Sequence, residues 1–227
     1  MTELTIRPVR GLPELREGDD LAQMILERAE LEDGDVVVVA QKAISKIEGR
    51  VVRADDDEKV EVILREAKRV VRRRGSLVIA ETAHGFICAS AGVDASNAPE
   101  PDTLVLLPVD PDASAERLRG RLCEVTGREV GAVVTDSFGR PWRQGTTDVA
   151  IGAAGIEVLR DLKGERDPNG YELKSTVIAI ADEIAGAAQL VMGKLDRTPV
   201  AIVRGLDVPG EGSARDIVMP AERSLFQ

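Results

Sequence analysis

Two acidic residues follow apolar runs in this chain, and both sit where chemistry could begin. Val130-Gly-Ala-Val-Val-Thr leads into Asp136, then Ser137-Phe-Gly-Arg140; Phe86-Ile-Cys-Ala-Ser-Ala-Gly-Val leads into Asp94, then Ala95-Ser-Asn97. Each run reads as a buried strand handing one carboxylate to a loop. An unpaired carboxylate is costly to bury, so each needs a partner. A divalent cation shared by both, completed by water and ligand phosphates, is one such partner. Asx hydrogen bonds that cap turns are the other. Ser137 and Asn97 add oxygen donors beside each acid, and the spacing alone leaves both readings open.

Lys42, Ser45 and Lys46 follow the run Val36-Val-Val-Val-Ala40. Strand ends receive ligands in α/β proteins, and lysines there hold phosphates as point charges. A solvated polar connection is the competing reading of residues 41–50. Arg140-Pro-Trp-Arg143 places two cations around the only Trp. That group either clamps an anionic aromatic substrate or packs its Trp on the core. The Gly-rich stretches at 152–155 and 205–212 match neither phosphate-binding fingerprint, G-x-x-x-x-G-K-[ST] or G-x-G-x-x-G. His84 is the sole histidine, so no histidine metal cluster is possible, and a structural role in a Gly-flanked turn is expected. Cys88 and Cys123 form no C-x-x-C and read as core or loop residues of a reduced, cytoplasmic protein.

The elements that must position these residues follow from periodicity. Strands are expected at Leu4–Val9, Val36–Ala40, Val51–Val52, Leu104–Pro108, 130–136, 174–180 and Val200–Val203. Leu77–Glu81 and Phe86–Val93 read as a hairpin. Helices are expected at Asp19–Glu30, Glu58–Arg74 (capped by Asp55-Asp-Asp57), Asp112–Thr126 (capped by Asp112 and stopped by Gly127) and Asp182–Met192. Residues 147–159 are small and apolar without a clear period, and Asp167-Pro-Asn-Gly170 is a turn. There is no strict βαβ rhythm, so the expected class is α+β, a mixed fold with largely antiparallel or mixed sheets.

Aromatics are only 2% of the chain, so Val, Ile, Leu and Ala must build the core. A net charge of -10 argues against nucleic-acid binding and makes local cations necessary for any anionic ligand. No apolar run approaches the ~20 residues of a membrane span, and the N-terminus lacks a signal-peptide pattern.

Taken together, the motifs resemble the coenzyme F420-0:L-glutamate ligases. The segments that carry the resemblance are Pro8-Val-Arg-Gly-Leu-Pro13, Glu17-Gly-Asp-Asp-Leu21, Asp33-Gly-Asp-Val-Val-Val-Val39, Ile44-Ser-Lys-Ile-Glu-Gly-Arg50, His84-Gly-Phe86 and Ala91-Gly-Val-Asp-Ala-Ser-Asn97. They continue through Leu107-Pro-Val-Asp-Pro-Asp112, Val134-Thr-Asp-Ser-Phe-Gly-Arg140, Ala181-Asp-Glu-Ile-Ala185, Met192-Gly-Lys194 and Val203-Arg-Gly-Leu206. The resemblance implies a single ligase domain over residues 1–227, built as one unit or two intertwined lobes and dimerising intimately, without a C-terminal flavin reductase domain.

It further implies GTP-dependent joining of L-glutamate to coenzyme F420-0 through an acyl phosphate, releasing GDP and phosphate, with further glutamates added through γ-linkages. A homodimer, two Mg²⁺ or Mn²⁺ ions and a K⁺ ion come with it. By position, Asp94 and Asp136 would hold one metal and Ser137 a second. Arg10, Gly11, Leu12, Pro13, Ala40, Gln41, Ser45, Lys46, Asn97, Met192, Gly193 and Lys194 would line the nucleotide site. Arg140, Trp142 and Arg143 are the candidate substrate contacts. Lys194 departs from the archaeal pattern, which has an acid serving the second metal there; the Lys form looks like the bacterial members. A related ligase with another phosphorylated acceptor, and a non-catalytic nucleotide-binding module, are the alternatives.

Overall fold

Val36 to Val39 are all fully buried, because the strand they form has helices against both of its faces. Val37 and Val39 join one apolar cluster, and Val36 and Val38 join another. This is what alternating side chains of a central strand must do when neither face is wet. The computed structural model describes residues 3–55 and 57–225. From the N-terminus run β1 (Thr5–Pro8), α1 (Leu21–Leu26), β2 (Val36–Ala40), α2 (Gln41–Ile47), β3 (Val51–Arg53), α3 (Lys59–Glu66), β4 (Ala67–Arg74), β5 (Leu77–Thr82), β6 (Ile87–Ala89) and β7 (Thr103–Val105). There follow α4 (Pro111–Thr126), β8 (Gly131–Arg140), β9 (Arg143–Ala154), β10 (Arg160–Asp161), β11 (Val177–Ile178), α5 (Ile180–Met192) and β12 (Val200–Arg204).

The central sheet has the order β1-β12-β2-β8-β9. Only β2 and β8 pair in parallel, the other neighbours being antiparallel, so the expected mixed, largely antiparallel architecture holds. On one face lie α1 and α4, through Leu21, Ile25, Leu118 and Leu122. On the other lies α5, through Ala181, Ile184, Ala185, Ala188 and Met192. A third cluster, with Val62, Ile63, Val78, Ala80, Val93 and Leu104, packs α3 against the sheet β4-β5-β6.

Several sequence expectations are corrected. The helix expected over 58–74 stops at Glu66. From Ala67 the chain becomes β4 and pairs antiparallel with β5. The β-branched pair Val70-Val71 and the flanking arginines favour an edge strand, where charges also discourage pairing with other chains. Asp55 accepts the N–H groups of Asp57 (2.9 Å) and Glu58 (3.0 Å) in the turn that leads into α3, whose N-cap residue is Glu58, without a side-chain cap bond; Asp56 of the expected cap lies outside the described residues. Residues 41–47 form a helix rather than a polar connection, with Ala43 and Ile44 buried. Residues 147–154 belong to the long strand β9. Its small residues permit close approach: a Cβ on Gly152 would meet the Pro111 carbonyl oxygen at 2.2 Å. The residues preceding Asp94 form a short strand ending at Ala89, and a 3₁₀ turn then delivers the acid.

Asp110, rather than Asp112, caps α4: its Oδ1 accepts the Ala113 N–H at 3.1 Å, and Pro111 occupies the first turn. Asp112 bolts elements together instead, accepting the N–H groups of Ala153 (2.9 Å) and Ala214 (2.8 Å). Asp110→Ala is expected to cost about 1–2 kcal/mol of stability and Asp110→Asn much less, since Asn retains the cap. Urea unfolding midpoints of the two variants check this.

Candidate functional site

A cleft of about 500 Å³ opens where the C-terminal end of β2, the middle of β8 and the segment after α5 converge. Its wall includes Leu12, Pro13, Ala40, Gln41, Lys46, Asn97, Asp136, Ser137, Met192, Gly193 and Lys194. Eleven of the residues expected at the nucleotide and metal sites thus meet in one place, although they span the chain. The parallel pairing of Ala40 with Thr135 places the start of α2 beside Asp136. Gly193 then turns the chain out of α5 with φ +63°; a Cβ there would meet Asp196 Oδ2 at 2.4 Å. That turn brings Lys194 over β8, where its Nζ donates to Ser137 Oγ.

Asp136 lies within β8, just beyond a register shift at Val134/Thr135, and not at the strand's end. Burial pushes its carboxyl up to about 7; the Ser137 N–H opposes this and neighbouring Asp148 adds to it. Asp148 sits opposite Ser137 across the β8–β9 pair, is 4% exposed, and accepts the Ser137 hydroxyl. Lys194 Nζ is 3.9 Å from the same Asp148 oxygen.

Asp94 meets the site through Lys42, whose Nζ is 2.7 Å from Asp94 Oδ2. Asp94 also accepts the Ser96 N–H (2.7 Å) and the Ser96 hydroxyl (3.0 Å). The turn-capping role and a charged partner therefore coexist at Asp94. Burial works to raise its pKa, but Lys42 and Ser96 outweigh it and hold the carboxyl below the usual range.

Lys42, Lys46, Lys194 and Arg197 place four cations on the wall. In a chain of net charge -10 they create the local positive field an anionic ligand needs. Lys46 is paired with Glu14. Gln41 is buried; its Oε1 accepts the Ser45 hydroxyl at 2.8 Å, and its Nε2 has no hydrogen-bond partner among the described residues.

Other expected site residues lie elsewhere. Ser45 is fully buried, outside the cleft wall, and meets the site only through its bond to Gln41. Arg10 and Gly11 are not among the residues lining the cleft; the Gly11 carbonyl instead accepts from Arg28 Nε at 2.9 Å. Arg140, Trp142 and Arg143 form the tip of the β8–β9 hairpin outside the cleft wall, with Trp142 83% exposed, so the Trp does not pack on the core. His84 has the expected structural role: Nε2 is 3.0 Å from the Pro108 carbonyl oxygen, and the ring stacks on Phe86. Cys88 is buried, and burial, followed by the nearby Asp136 charge, pushes its thiol up to about 12. It is no nucleophile at neutral pH. The residue that sequence reasoning missed is Asp148. No local pattern marks it: the acid follows Gly145-Thr-Thr147 and precedes an apolar run, the reverse of the order at Asp136.

Among the described residues no three His, Cys, Asp or Glu side chains form a ready cation cage. The donors are nonetheless hard oxygens. Asp136 is a withdrawn carboxyl beside a second buried acid; Lys42 and Lys194 favour its charge from a distance, and among the described residues no cation stands within ion-pair distance of it. Mg²⁺ and Mn²⁺ bind through one or two carboxylates plus ligand phosphates rather than all-protein cages, so the set fits such an ion.

Buried carboxylates and clustered ammonium groups around a cleft at strand ends make a candidate enzyme site whose local charge suits an anionic ligand. A family model described as F420-0:Gamma-glutamyl ligase matches residues 11–205. The Methanopyrus kandleri protein named "Coenzyme F420:L-glutamate ligase" is 45% identical, covering 99% of this chain and 98% of its own length. Proteins of the same name from Methanocaldococcus jannaschii and Archaeoglobus fulgidus are each 42% identical, over 95% and 97% of this chain and 94% and 95% of their own. The chain belongs to the F420-0:gamma-glutamyl ligase family. It is a ligase that forms carbon–nitrogen bonds. Among the described residues no helix is long and apolar enough to cross a membrane.

Proposed function

We propose that this chain joins L-glutamate to coenzyme F420-0 at the expense of GTP, through an acyl phosphate, and adds further glutamates through γ-linkages. The observation that carries the reading is the single cleft in which Asp136 and Asp148 face Lys42, Lys46, Lys194 and Arg197. Attack of a carboxylate on a nucleotide γ-phosphate brings two anions together, so the barrier is chiefly electrostatic. Lys42, Lys46 and Lys194 hold and neutralise the phosphates. Gln41, whose amide N–H groups have no partner among the described residues, is a further donor for the ligand. Asp136 and Asp94 hold a divalent cation, which when bound neutralises phosphate charge. No protein nucleophile is needed, consistent with the inert Cys88. The buried acids favour an active ligase over a binding-only module, which gains nothing from buried like charges.

The test is mass spectrometry of the purified chain with GTP, Mn²⁺, L-glutamate and F420-0. The expected result is product heavier by one glutamate or a ladder of glutamates, with matching GDP and phosphate. Nucleotide binding without phosphate release for F420-0 and for a panel of other phosphorylated acceptors would overturn the reading. Turnover only with another acceptor would retain the ligase and replace the substrate. The functional unit we propose is a homodimer: Leu190 and Leu195, beside the cleft, expose apolar surface that a partner would cover.

A further inference from the structure

Asp136, Asp148, Lys42 and Lys194 line the cleft and Asp94 adjoins it through Lys42, and the pairing of these charges is uneven. Lys42 is ion-paired to Asp94 at 2.7 Å. Lys194 donates to Ser137, Ser137 donates to Asp148, and Lys194 stands 3.9 Å from Asp148. Among the described residues, Asp136 alone of the three acids has no ammonium within ion-pair distance. Lys42 and Lys194 are engaged by Asp94 and Asp148 and act on Asp136 only from beyond ion-pair distance, so Asp136 is the least compensated of the three carboxylates. This is a place for one dication, with the remaining charge met by ligand phosphates.

The availability of electron pairs points the same way. Asp136 takes only the Ser137 N–H among the hydrogen bonds acting on its charge, so most of a carboxylate's roughly four acceptor positions stay open. Asp94 accepts from the Ser96 N–H, the Ser96 hydroxyl and Lys42, and keeps one such position. Ser137 is different. Its hydrogen goes to Asp148 and one lone pair takes Lys194. A second ion there would find a neutral hydroxyl with one lone pair left, and an ammonium group in contact with it. It would have to displace Lys194 from a nearly dry carboxylate or sit beside its charge.

We infer that this ligase binds one divalent cation with its nucleotide, at Asp136 and Asp94. The Lys194 ammonium, held by Ser137 and Asp148, is a built-in replacement for a second. This rests on the nucleotide and metal reading above, and it replaces the two-ion expectation from the family resemblance. Lys194 is then a resident positive charge for the phosphates, present before any metal binds. Asp148, which touches neither nucleotide nor metal in this arrangement, is a positioning residue for it.

The experiment is a Mn²⁺ titration of the full chain in the presence of a non-hydrolysable GTP analogue, with free Mn²⁺ read from its electron paramagnetic resonance signal. The wild-type chain is expected to take up one equivalent per protomer. Lys194→Glu, which exchanges an exposed ammonium for a carboxylate beside Ser137 and Asp148, is expected to take up two. The closer pair of ions should also show as spin–spin broadening. Two equivalents in the wild type would overturn the inference and leave the functional reading standing. Lys194→Glu staying at one would also overturn it, because Lys194 would then not be what excludes the second ion. Bound nucleotide with no protein-dependent Mn²⁺ uptake would bring down the metal reading itself, and the inference with it.

Discussion

Asp136→Asn is expected to lower turnover on the order of 100-fold or more while leaving the fold intact. A cation that neutralises phosphate charge supplies several kcal/mol of transition-state stabilisation, and each 1.36 kcal/mol is about tenfold in rate. Asn keeps the shape and the Ser137 N–H contact but brings no charge to hold the ion. The fold has no need of that charge. Burial and Asp148 push the Asp136 carboxyl from 3.8 up to about 7. Between those values the folded chain binds more protons there than the unfolded chain, so stability falls as pH rises across that window.

Below the unfolded value both states are protonated and the penalty vanishes. With Asn at 136 this contribution to the pH dependence disappears. The variant should therefore melt no lower than the wild type at pH 8 under chelation, and the gap between them should close towards pH 4. Steady-state GTP turnover and melting curves in chelator check both halves. A variant with full activity would remove Asp136 from the site, and one that melts far lower would make its role structural.

The strands around the core were legible because burial on both faces leaves a run of β-branched residues that no helix period explains. Val36 to Val39 are the clearest case, and Val200 to Val203 pair directly with them. Where a local pattern fitted two periods, tertiary pairing decided. Val60, Ile63, Leu64, Ala67 and Val71 suit a helical stripe, yet β5 offers backbone partners from Ala67 onward and the chain takes them. The residues proposed for nucleotide and metal were legible as short motifs, but their convergence depends on two things no local pattern displays. One is the parallel register of β2 against β8; the other is the sharp turn at Gly193. Asp148 was hidden because its run of small residues carried no period, and only the cross-strand pairing with Ser137 reveals its role. Arg140-Pro-Trp-Arg143 shows the opposite case. Residue types suited to a ligand sit at the tip of a hairpin, because Trp142 takes a positive φ of +55° in the turn.

The second large effect concerns stability and lies at the opposite end of β2 from the cleft. Asp35 is 0% exposed. Arg204 grips it with both arms of its guanidinium, Nε to Oδ1 at 2.7 Å and Nη2 to Oδ2 at 2.7 Å. The Glu32 N–H adds a third bond at 2.8 Å. The antiparallel pairing of Val203 with Val36 sets the two side chains at matching ends of their strands. Arg204→Met keeps most of the volume and leaves a buried carboxylate without its cation, a loss of about 3–5 kcal/mol. For a chain of this length that is roughly 6–20 °C in melting temperature.

The orphaned charge, more than the lost attraction, causes the damage. Asp35→Asn combined with Arg204→Met should therefore recover much of the loss, so the two changes together cost less than the sum of each alone. The cleft begins at Ala40, five residues along the strand and so about 17 Å away. Well below its melting temperature the single variant should thus turn over GTP at the wild-type rate. Thermal unfolding of both variants, with turnover measured at low temperature, tests this. A single-variant loss under about 1 kcal/mol would mean that water reaches Asp35 once the arginine is gone.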